Sequence, residues 1–427
     1  MNVLLIEINP FVQSTTPISL GYIAAFLKSN GFNVKILAIG QNTSMSCHGF
    51  CRLVSRFQPA LVGFSAYQRN MLYVTGLAKL IKSMDKNIKI VIGGPQATFM
   101  PSSAFKDLPD IDYICRSPGE VTLLRIARAI DNGTPFSDLL GVSYKDSDGA
   151  VYDTPEIKGF TDLDQYPSAY LNDVFDYSHM SEAIMLTSRG CPHHCIYCYT
   201  PRAFDHKITF HSVDRVIDEI KWISTKGVRS LWFADPNISF KPERVIELLD
   251  RILLENLEFE MWMQTRADLV TKELMKKMKR AGVKTIAFGL ETASEQVLTR
   301  LGKHLAIEKV VQAIKMAQQQ EIEVELFTIF GLPFETFDDA VKTLEFVKEN
   351  RVKIMGNTNS QQMQIYFGTD MARHYKDYNI RPLNTNRPAY LSIGSQYETE
   401  YMRSNEISEI QKLWKANSLD GGKRIVS

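Results

Sequence analysis

The chain has 427 residues, a formal net charge of +1 and six cysteines. A chain of this length is expected to form two or three domains, and a net charge near zero gives no indication of nucleic-acid binding. No apolar run is long enough to span a bilayer, and the N-terminal stretch lacks the basic region and cleavage site of a signal peptide. The few cysteines do not suggest a disulfide framework, so we expect a cytoplasmic protein. From the net charge and the apolar runs we expect binding to neither nucleic acid nor membrane.

Short apolar runs alternate with helical patterns in the first third of the chain. Strands are predicted at residues 2–9, 32–39, 60–66, 88–94 and 112–117. They are nearly continuous runs of Val, Ile and Leu, as expected of a parallel sheet with both faces covered by helices. The pattern therefore predicts a Rossmann-like, doubly wound α/β domain over residues 1–145.

Ligands of such a sheet bind beyond the carboxyl ends of its strands. The candidate ligand-binding residues lie in the loops at these ends, and they are Asn9, Pro10, Ser65, Tyr67, Gln68, Arg69, Gly93, Gly94, Pro95, Gln96, Pro118, Gly119 and Glu120. No G-x-G-x-x-G motif follows the first strand, so the sequence does not indicate a dinucleotide site. Taken alone, the "IGGP" stretch is more typical of a tight turn between a strand and a helix.

Residues 146–182 are rich in turn formers and predict a hairpin followed by an extended linker. A second α/β series begins at Ala183, with strands predicted at residues 183–188, 229–235, 258–265, 284–290, 324–330 and 360–367. Six strands that alternate with helices predict a partial (β/α)6 barrel of TIM type over residues 183–370, with its chemistry at the carboxyl ends of the strands. Residues 371–427 are predicted to form a short C-terminal extension that shapes the substrate site, and the candidate substrate contacts are Tyr366, Tyr390, Tyr397 and Tyr401.

The loop after the first strand of this barrel reads "SRGCPHHCIYCYTP" and contains Cys191, Cys195 and Cys198. Thiolates select zinc or iron–sulfur clusters, and a four-iron cluster normally takes four cysteines. Three cysteines at a Cys-x3-Cys-x2-Cys spacing would leave one iron free to bind a small molecule. The alternative is a zinc site with His193 or His194 as the fourth ligand.

This spacing, with an aromatic residue before the last cysteine, resembles the radical S-adenosylmethionine (SAM) enzymes. The stretches "WFADPNISF", "MQTRADLV", "FGLETASEQVLTRLGK" and "TIFGLPFET" match later motifs of that family. The resemblance implies a [4Fe–4S] cluster whose open iron binds SAM, reductive formation of a 5′-deoxyadenosyl radical, and an external low-potential electron donor. The SAM-binding residues that it implies are Tyr197, Asp235, Asn237, Gln264, Arg266, Glu291 and Gly331.

Two of these residues have specific expected roles. Arg266 would pair with the methionyl carboxylate, and Gly331 would let the backbone pass under the adenine. For any one of the implied residues, ordinary solvation at a barrel rim is the alternative.

The first domain resembles the cobalamin-binding domain that precedes the radical domain in one subgroup of these enzymes. The resemblance rests on "PISLGYIAAFLKSNGFNVKIL", "LVGFSAYQRN", "VIGGPQAT" and "DYICRSPGE", and it implies that the strand-end loops bind cobalamin. The D-x-H-x-x-G motif that supplies histidine to cobalt elsewhere is absent, so the loop of Arg69 is expected to face the lower side of cobalt. The alternative is a degenerate sheet that only packs against the barrel.

Together the two resemblances imply a C-methyltransferase that uses SAM and methylcobalamin to methylate an unactivated sp3 carbon. The acceptor could be a residue of a protein or peptide, such as a glutamine of methyl-coenzyme M reductase, or a small molecule. Alternatives are a cobalamin-dependent radical enzyme that cyclises or rearranges a small molecule, a methylthiotransferase, and a non-catalytic cobalamin- or metal-binding protein.

Overall fold

The computed structural model describes most of the chain, and the described residues are 1–9, 16–40, 45–116, 118–133, 139–146, 148–157, 159–160, 162–178, 180–355, 361–383, 388 and 397–417. Pro10 and Tyr390, two of the predicted site residues, lie outside them. The chain divides into two compact units: Met1–Asp176 with Ala203–Asp205 and Arg387–Gly394, and Tyr177–Arg202 with His206–Asn386 and Ser395–Ser427. In the described residues, no helix is long and apolar enough to cross a membrane.

The first unit contains a seven-stranded sheet. Its strands are β1 (Asn2–Asn9), β2 (Asn33–Gly40), β3 (Leu61–Ser65), β4 (Lys89–Gly93), β5 (Tyr113–Cys115), β6 (Val142–Lys145) and β7 (Val151–Asp153). The spatial order is β2-β1-β3-β4-β5-β6-β7, with β1 to β5 parallel and β6 and β7 added as antiparallel edge strands. β2 and β3 lie on opposite sides of β1, so the strand order reverses there, and the ligand crevice of this doubly wound sheet is expected between the ends of β1 and β3.

Helices cover both faces of this sheet. They are α1 (Ile18–Ser29), α2 (Cys47–Phe57), α3 (Met71–Met84), α4 (Pro95–Thr98) and α5 (Gly119–Asn132). A large core cluster joins α1 and α5 to one face, with Leu5 of β1 and Leu123 of α5 among its members. α1 ends at Ser29, and Gly31 follows it with a φ of +87°, which glycine adopts without strain.

The segment predicted as an extended linker is folded in turns and packs within the first unit. Tyr170 is fully buried, and the ring of Phe175 fills the space beside Gly21 of α1. A Cβ atom at Gly21 would lie 2.2 Å from that ring, so α1 needs glycine there. Buried aromatic residues in a stretch rich in turn formers explain why the segment folds onto the sheet domain instead of extending.

The second unit is built on six parallel strands in the order β15-β14-β13-β12-β11-β8. These strands are β8 (Ala183–Met185), β11 (Ser230–Phe233), β12 (Glu260–Thr265), β13 (Val283–Glu291), β14 (Glu323–Thr328) and β15 (Lys353–Ile354). Within the described residues β15 and β8 are the two edges of the sheet and do not pair with each other. This arrangement confirms the predicted α/β fold with an open, partial barrel.

The remaining elements of this unit surround the sheet. The helices are α6 (Thr200–Ala203), α7 (Val213–Thr225), α8 (Pro242–Leu254), α9 (Lys272–Ala281), α10 (Glu295–Arg300), α11 (Ile307–Gln318), α12 (Phe337–Glu349), α13 (Asp370–Arg373) and α14 (Ser404–Asn417). Two short antiparallel pairs are formed by β9 (Ser188–Gly190) with β10 (Ile208–Phe210), and by β16 (Arg381–Pro382) with β17 (Tyr397–Glu398). Local signals set several helix starts, such as the capping box of α12, in which Thr336 and Asp339 each bond the other's backbone N–H.

The prediction of a sixth strand at residues 360–367 is wrong for the described part of that range. The sixth strand is β15, and residues 361–367 contribute only an isolated bridge between Gln362 and Phe330. The Phe330 N–H donates to the carbonyl of Gln361, and its own carbonyl accepts from the N–H of Met363. The described residues 361–367 therefore pair with the sheet only around Phe330, two residues beyond the end of β14.

Candidate functional site

The three cysteines lie in a loop between the paired strands β9 and β10, at the carboxyl edge of the six-stranded sheet. Backbone hydrogen bonds hold both sides of the loop. The N–H of Ile196 donates to the carbonyl of Leu301 over 3.0 Å, and the carbonyl of Ile196 accepts from Met371 over 3.0 Å. The loop is therefore fixed between the segment that follows α10 and the start of α13.

Gly302 brings the first of these segments directly against the cysteine loop. A Cβ atom placed on Gly302 would lie 2.7 Å from the backbone carbonyl oxygen of His194, and Gly302 has a φ of +72°. Both the left-handed backbone and the close backbone approach require glycine. Gly302 lies within "RLGK" at the end of a family motif, but no role was predicted for it.

The cysteine thiols are partly buried and interact electrostatically. Burial raises the pKa of Cys198 to about 12, and Cys195 and Cys191 raise it further, while hydrogen bonding to Thr200 opposes the shift. Burial likewise raises the pKa of Cys191. Thiolates at this position therefore need a cationic metal centre to stabilise them.

The donor geometry bears on the choice between zinc and a cluster. In the described part of the chain, no three His, Cys, Asp or Glu side chains converge on one point where a single metal ion could bind. A four-iron cluster binds each thiolate at a different iron, so its cysteines stand farther apart than the ligands of one zinc ion. The three thiols of the loop fit the cluster.

Two tyrosines line the loop. Burial raises the pKa of Tyr197, which also interacts with Glu291, Cys195 and Cys198. Burial raises the pKa of Tyr199 to about 12, and the charges of Cys198 and Tyr366 raise it further. Tyr197 thus lies where the sequence placed it, beside the thiols, and Tyr366, a predicted substrate contact, lies near the same loop.

Lys303 is a buried cation at this edge that the sequence patterns did not predict. Lys303 is 6% exposed, and its ammonium group lies 2.6 Å from Oε1 of Glu291, which is 7% exposed and has a φ of +66°. The ammonium also lies 2.6 Å from the position that a Cβ of Gly289 would occupy. A lysine at the end of the quoted "RLGK" motif, after an apolar helix, was the signal that could have identified it.

Arg266 was expected to pair with the methionyl carboxylate of SAM, but in the structure it pairs with a carboxylate of its own chain. Its guanidinium forms two hydrogen bonds with the carboxylate of Asp268, at 3.0 and 2.9 Å. A third nitrogen donates to the carbonyl of Lys303 over 3.2 Å. Arg266 therefore ties the end of β12 to the segment that carries Lys303, and the ammonium of Lys303 is the cation more deeply buried at this edge.

Asp235 is fully buried and binds the strand that leads into the cysteine loop. Its carboxylate accepts from the hydroxyl of Thr187 at 2.9 Å and from the hydroxyl of Ser188, and burial raises its pKa. Its backbone carbonyl accepts from the amide of Gln264 over 2.8 Å. These contacts give Asp235 a positioning role at the site, because they fix where the loop begins.

Unlike Asp235, Asn237 has a side-chain amide group without a hydrogen-bond partner among the described residues. Its Oδ1 accepts from the hydroxyl of Thr265 at 2.7 Å, but its buried Nδ2 has no partner among the described residues. A buried amide without a partner costs free energy. The orphaned group therefore fits a residue that donates to a ligand.

Gly331 lies at the end of the fifth strand of the barrel, where its expected neighbour was an adenine. The space beside its Cα is taken by Tyr397, whose hydroxyl would lie 2.6 Å from a Cβ there and donates to the Gly331 carbonyl over 2.9 Å. The Gly331 N–H donates to Oε2 of Glu335 over 2.7 Å. The need for glycine, with its φ of +78°, is thus explained within the chain.

In the first unit, the predicted ligand loops meet at the ends of β1 and β3. Asn70, which the sequence analysis did not single out, donates from Nδ2 to the carbonyls of Ile8 and Ser65, at 3.0 and 2.9 Å, and accepts from the N–H of Tyr67. Gly94 follows β4 with a φ of +96° and packs against the backbone of Ala66. Asn70 thus fixes the crevice at the topological switch point.

Several buried polar atoms at this edge have no partner among the described residues. They are Oδ1 of Asn9, Oε1 of Gln68 and Nε2 of Gln96. The Gln68 and Gln96 side chains are 6% and 2% exposed, so the missing partners are not replaced by bulk water. Cobalamin carries amide groups around its ring, and orphaned amides on the protein match them as donors and acceptors.

The other predicted residues of this edge lie where the fold brings the loops together. Tyr67 and Arg69 are half-buried, and Glu120 is buried in the first turn of α5. A Cβ on Gly119 would lie 2.8 Å from Ile23, so this glycine lets α5 pack tightly on α1. Pro118 precedes α5, and Gly93 and Pro95 flank Gly94.

The two units match two different protein families. Residues 185–347 match the Radical SAM superfamily, and residues 7–127 match the B12 binding domain. The first match includes the cysteine loop and the strand ends of the open barrel. The second includes the switch-point crevice and its orphaned amides.

Individual relatives cover most of the chain. An uncharacterized methyltransferase of Pyrococcus horikoshii is 27% identical over 399 residues, which are 92% of this chain and 85% of that protein. The anaerobic magnesium-protoporphyrin IX monomethyl ester cyclase of Rubrivivax gelatinosus is 26% identical, over 78% of this chain and 62% of its own length. The solved structure of the cobalamin-dependent SAM radical enzyme OxsB, with aqua-cobalamin and SAM bound, has the same fold, with a TM-score of 0.77, 18% identity and coverage of 96% of this chain and 66% of that chain.

Proposed function

Because the chain belongs to the cobalamin-dependent radical SAM methyltransferase family, we propose that it methylates an unactivated sp3 carbon. The cofactors of that family are a [4Fe–4S] cluster, SAM and cobalamin. When bound, they supply a 5′-deoxyadenosyl radical that removes hydrogen from carbon and a methyl group that replaces it. The net reaction consumes two SAM and two electrons and yields methylated product, 5′-deoxyadenosine, methionine and S-adenosylhomocysteine.

One observation supports the proposal above all: both sheets of this chain have side chains at their strand ends that can bind a cofactor. The six-stranded sheet has three thiols held between Leu301 and Met371. The seven-stranded sheet has the buried, unpartnered amides of Gln68 and Gln96. Two sites with different donor chemistry fit two cofactors, as the reaction requires.

The residues at the barrel edge have separable roles. The ammonium of Lys303, already paired with Glu291, can reach an anionic group of SAM, since a buried ammonium favours a carboxylate partner. Nδ2 of Asn237 is a donor without a partner in the described structure. Tyr197, half-buried beside the thiols, shields the site of radical formation from solvent.

The acceptor is proposed at the level of class. A carbon in a residue of a protein or peptide, with a glutamine of methyl-coenzyme M reductase as the first candidate, rests on the family resemblance of the sequence. A small-molecule acceptor is tested beside it.

The experiment is anaerobic reconstitution of the full chain with iron, sulfide and cobalamin, followed by assay with dithionite and SAM carrying a deuterated methyl group. A peptide that contains the reductase glutamine and a panel of small molecules are offered as acceptors. We expect 5′-deoxyadenosine, S-adenosylhomocysteine and a product heavier by one labelled methyl group. The Cys198→Ala variant is expected to lose 5′-deoxyadenosine.

Product analysis separates the alternatives. Cyclisation, the reaction named for the Rubrivivax relative, would give 5′-deoxyadenosine without S-adenosylhomocysteine or methyl transfer. Absence of 5′-deoxyadenosine from fully loaded protein would contradict a radical enzyme and favour a cofactor-binding protein.

A further inference from the structure

Arg244, on α8, binds both ends of the cysteine ribbon, which consists of β9, β10 and the cysteine loop between them. Where the chain enters the ribbon, Nη2 of Arg244 donates to the carbonyl of Thr187 over 3.3 Å. Where the chain leaves the ribbon, Nη2 and Nε donate to the carbonyl of His211, over 2.8 and 3.3 Å. One guanidinium therefore joins the residue before β9 to the residue after β10.

The same guanidinium is also linked to the segment that follows β11. Its Nη1 donates to Oγ1 of Thr187 over 3.1 Å, and that hydroxyl donates to Oδ1 of Asp235 over 2.9 Å. Burial raises the pKa of Asp235, and the hydrogen bonds of Ser188 and Thr187 and the charge of Arg244 oppose that rise. Arg244, Thr187 and Asp235 thus form one network that joins α8, the start of the ribbon and the chain after β11.

The two residues that accept from Arg244 are withdrawn from bulk water. Thr187 is fully buried and His211 is 2% exposed. The N–H of His211 also donates to the carbonyl of Thr187 over 2.9 Å, so the ends of the ribbon pair directly with each other. Hydrogen bonds from a charged donor are stronger than neutral ones, and Arg244 therefore reinforces the pairing that closes the ribbon.

Phe210, the last residue of β10, packs against two cations. The guanidinium carbon of Arg244 lies 5.1 Å from its ring centroid, and the ammonium of Lys241 lies 4.8 Å from the same point. Lys241 is exposed, and within the described residues its side chain forms no hydrogen bond or ion pair. Of the two cations only Arg244 bonds to both ribbon ends, because its planar group carries donors on three nitrogens, whereas an ammonium is a single point.

Given the proposed function, on which this inference rests, we propose that Arg244 is a positioning residue that holds the ends of the cysteine ribbon together and so fixes the three cluster thiols relative to one another. The loop itself is held by the backbone of Leu301 and Met371. Arg244 supplies the matching constraint at the base of the ribbon. Groups that orient the ligands of a metal centre contribute to its affinity without touching the metal.

Two measurements test this role: amide hydrogen exchange of the cluster-free full chain, and the rate at which a chelator removes iron from the reconstituted chain. Arg244→Met removes the donors and the charge, and Arg244→Lys keeps a positive charge but lacks the planar fork. Lys241→Met is the matched control, because it removes the neighbouring cation from the ring of Phe210 and leaves the ribbon ends bonded. Exchange in β12 and β13 is the internal reference for each variant.

In both Arg244 variants, the amides of β9, β10 and His211 are expected to exchange about tenfold faster than in wild type, since bonds that close the ribbon are lost. Exchange in β12 and β13 should stay at the wild-type rate. Loss of iron to the chelator should be about ten- to a hundredfold faster, and Lys241→Met should match wild type in both measurements.

Three results would overturn the inference: an equal acceleration of exchange in β12, β13 and the ribbon, wild-type behaviour of Arg244→Met, or wild-type behaviour of Arg244→Lys. The first would make Arg244 a general stabiliser of its unit, and the last would show that charge alone suffices. If Arg244→Met does not fold, Arg244→Lys decides between the outcomes. Failure of the wild type to take up a four-iron cluster would overturn the proposed function, whereas hydrogen exchange of the cluster-free chain would still test Arg244.

Discussion

Replacement of Gly302 by alanine tests whether this residue positions the cysteine loop. The new Cβ would lie 2.7 Å from the His194 carbonyl oxygen, so the loop must retreat by about 0.7 Å to reach the 3.4 Å of ordinary contact. The carbonyl belongs to backbone and cannot rotate away. The loop is also held by the Ile196 hydrogen bonds to Leu301 and Met371, so the shift must break or stretch them.

Backbone strain adds to this displacement. Alanine at a φ of +72° costs about 1–2 kcal/mol, offset by about 0.4–1 kcal/mol from the lower entropy of the unfolded chain. Gly227 is the matched control, because it has a φ of +81° and nothing within 4 Å of a new Cβ. Gly227→Ala therefore reports the strain without the contact.

The assay is iron and sulfide content per chain after anaerobic reconstitution, with thermal unfolding of both variants. We expect both to lose roughly 1 kcal/mol of stability from strain. Gly302→Ala should lose more, and its cluster content should fall to roughly half or less of the Gly227→Ala value. Equal cluster content in the two variants would refute the idea that Gly302 holds the loop in register.

Three further predictions concern groups that the structure buries. Tyr397→Phe leaves the Gly331 carbonyl without its donor and should cost about 1–3 kcal/mol in denaturant unfolding; an unchanged midpoint would contradict this. Burial raises the pKa of Glu335 to about 8, above its unfolded value of 4.5, so its stabilising contribution is complete below pH 4.5 and is lost as pH rises through 8. The unfolding free energy should therefore fall between pH 5 and 8 by up to about 1.4 kcal/mol per unit, and Glu335→Gln, measured in urea, should flatten that slope. Lys303→Met strands the buried Glu291 carboxylate and should cost about 3–5 kcal/mol; adding Glu291→Gln should restore part of the loss, and no recovery in the double variant would argue against the pair.

Patterns close together in the sequence predicted most of the architecture. The alternation of apolar runs and helical stretches predicted two α/β units, and both parallel sheets are present. Strand-end loops were predictable because parallel strands present their carboxyl ends at one edge. The last strand was predicted wrongly because residues 361–367 pair with the sheet only through the bridge of Gln362 to Phe330, while β15 takes the position beside β14.

The sequence by itself determined the donor chemistry: three thiols at fixed spacing, and amides at the ends of strands. Tertiary structure alone decided which groups meet, such as Lys303 with Glu291 and Tyr397 with Gly331. It also decided that Arg266 donates to the carbonyl of Lys303, 37 residues away in the sequence. The physical reason is that these contacts join segments brought together by sheet pairing, and neither the period of a helix nor that of a strand encodes a neighbour on another element.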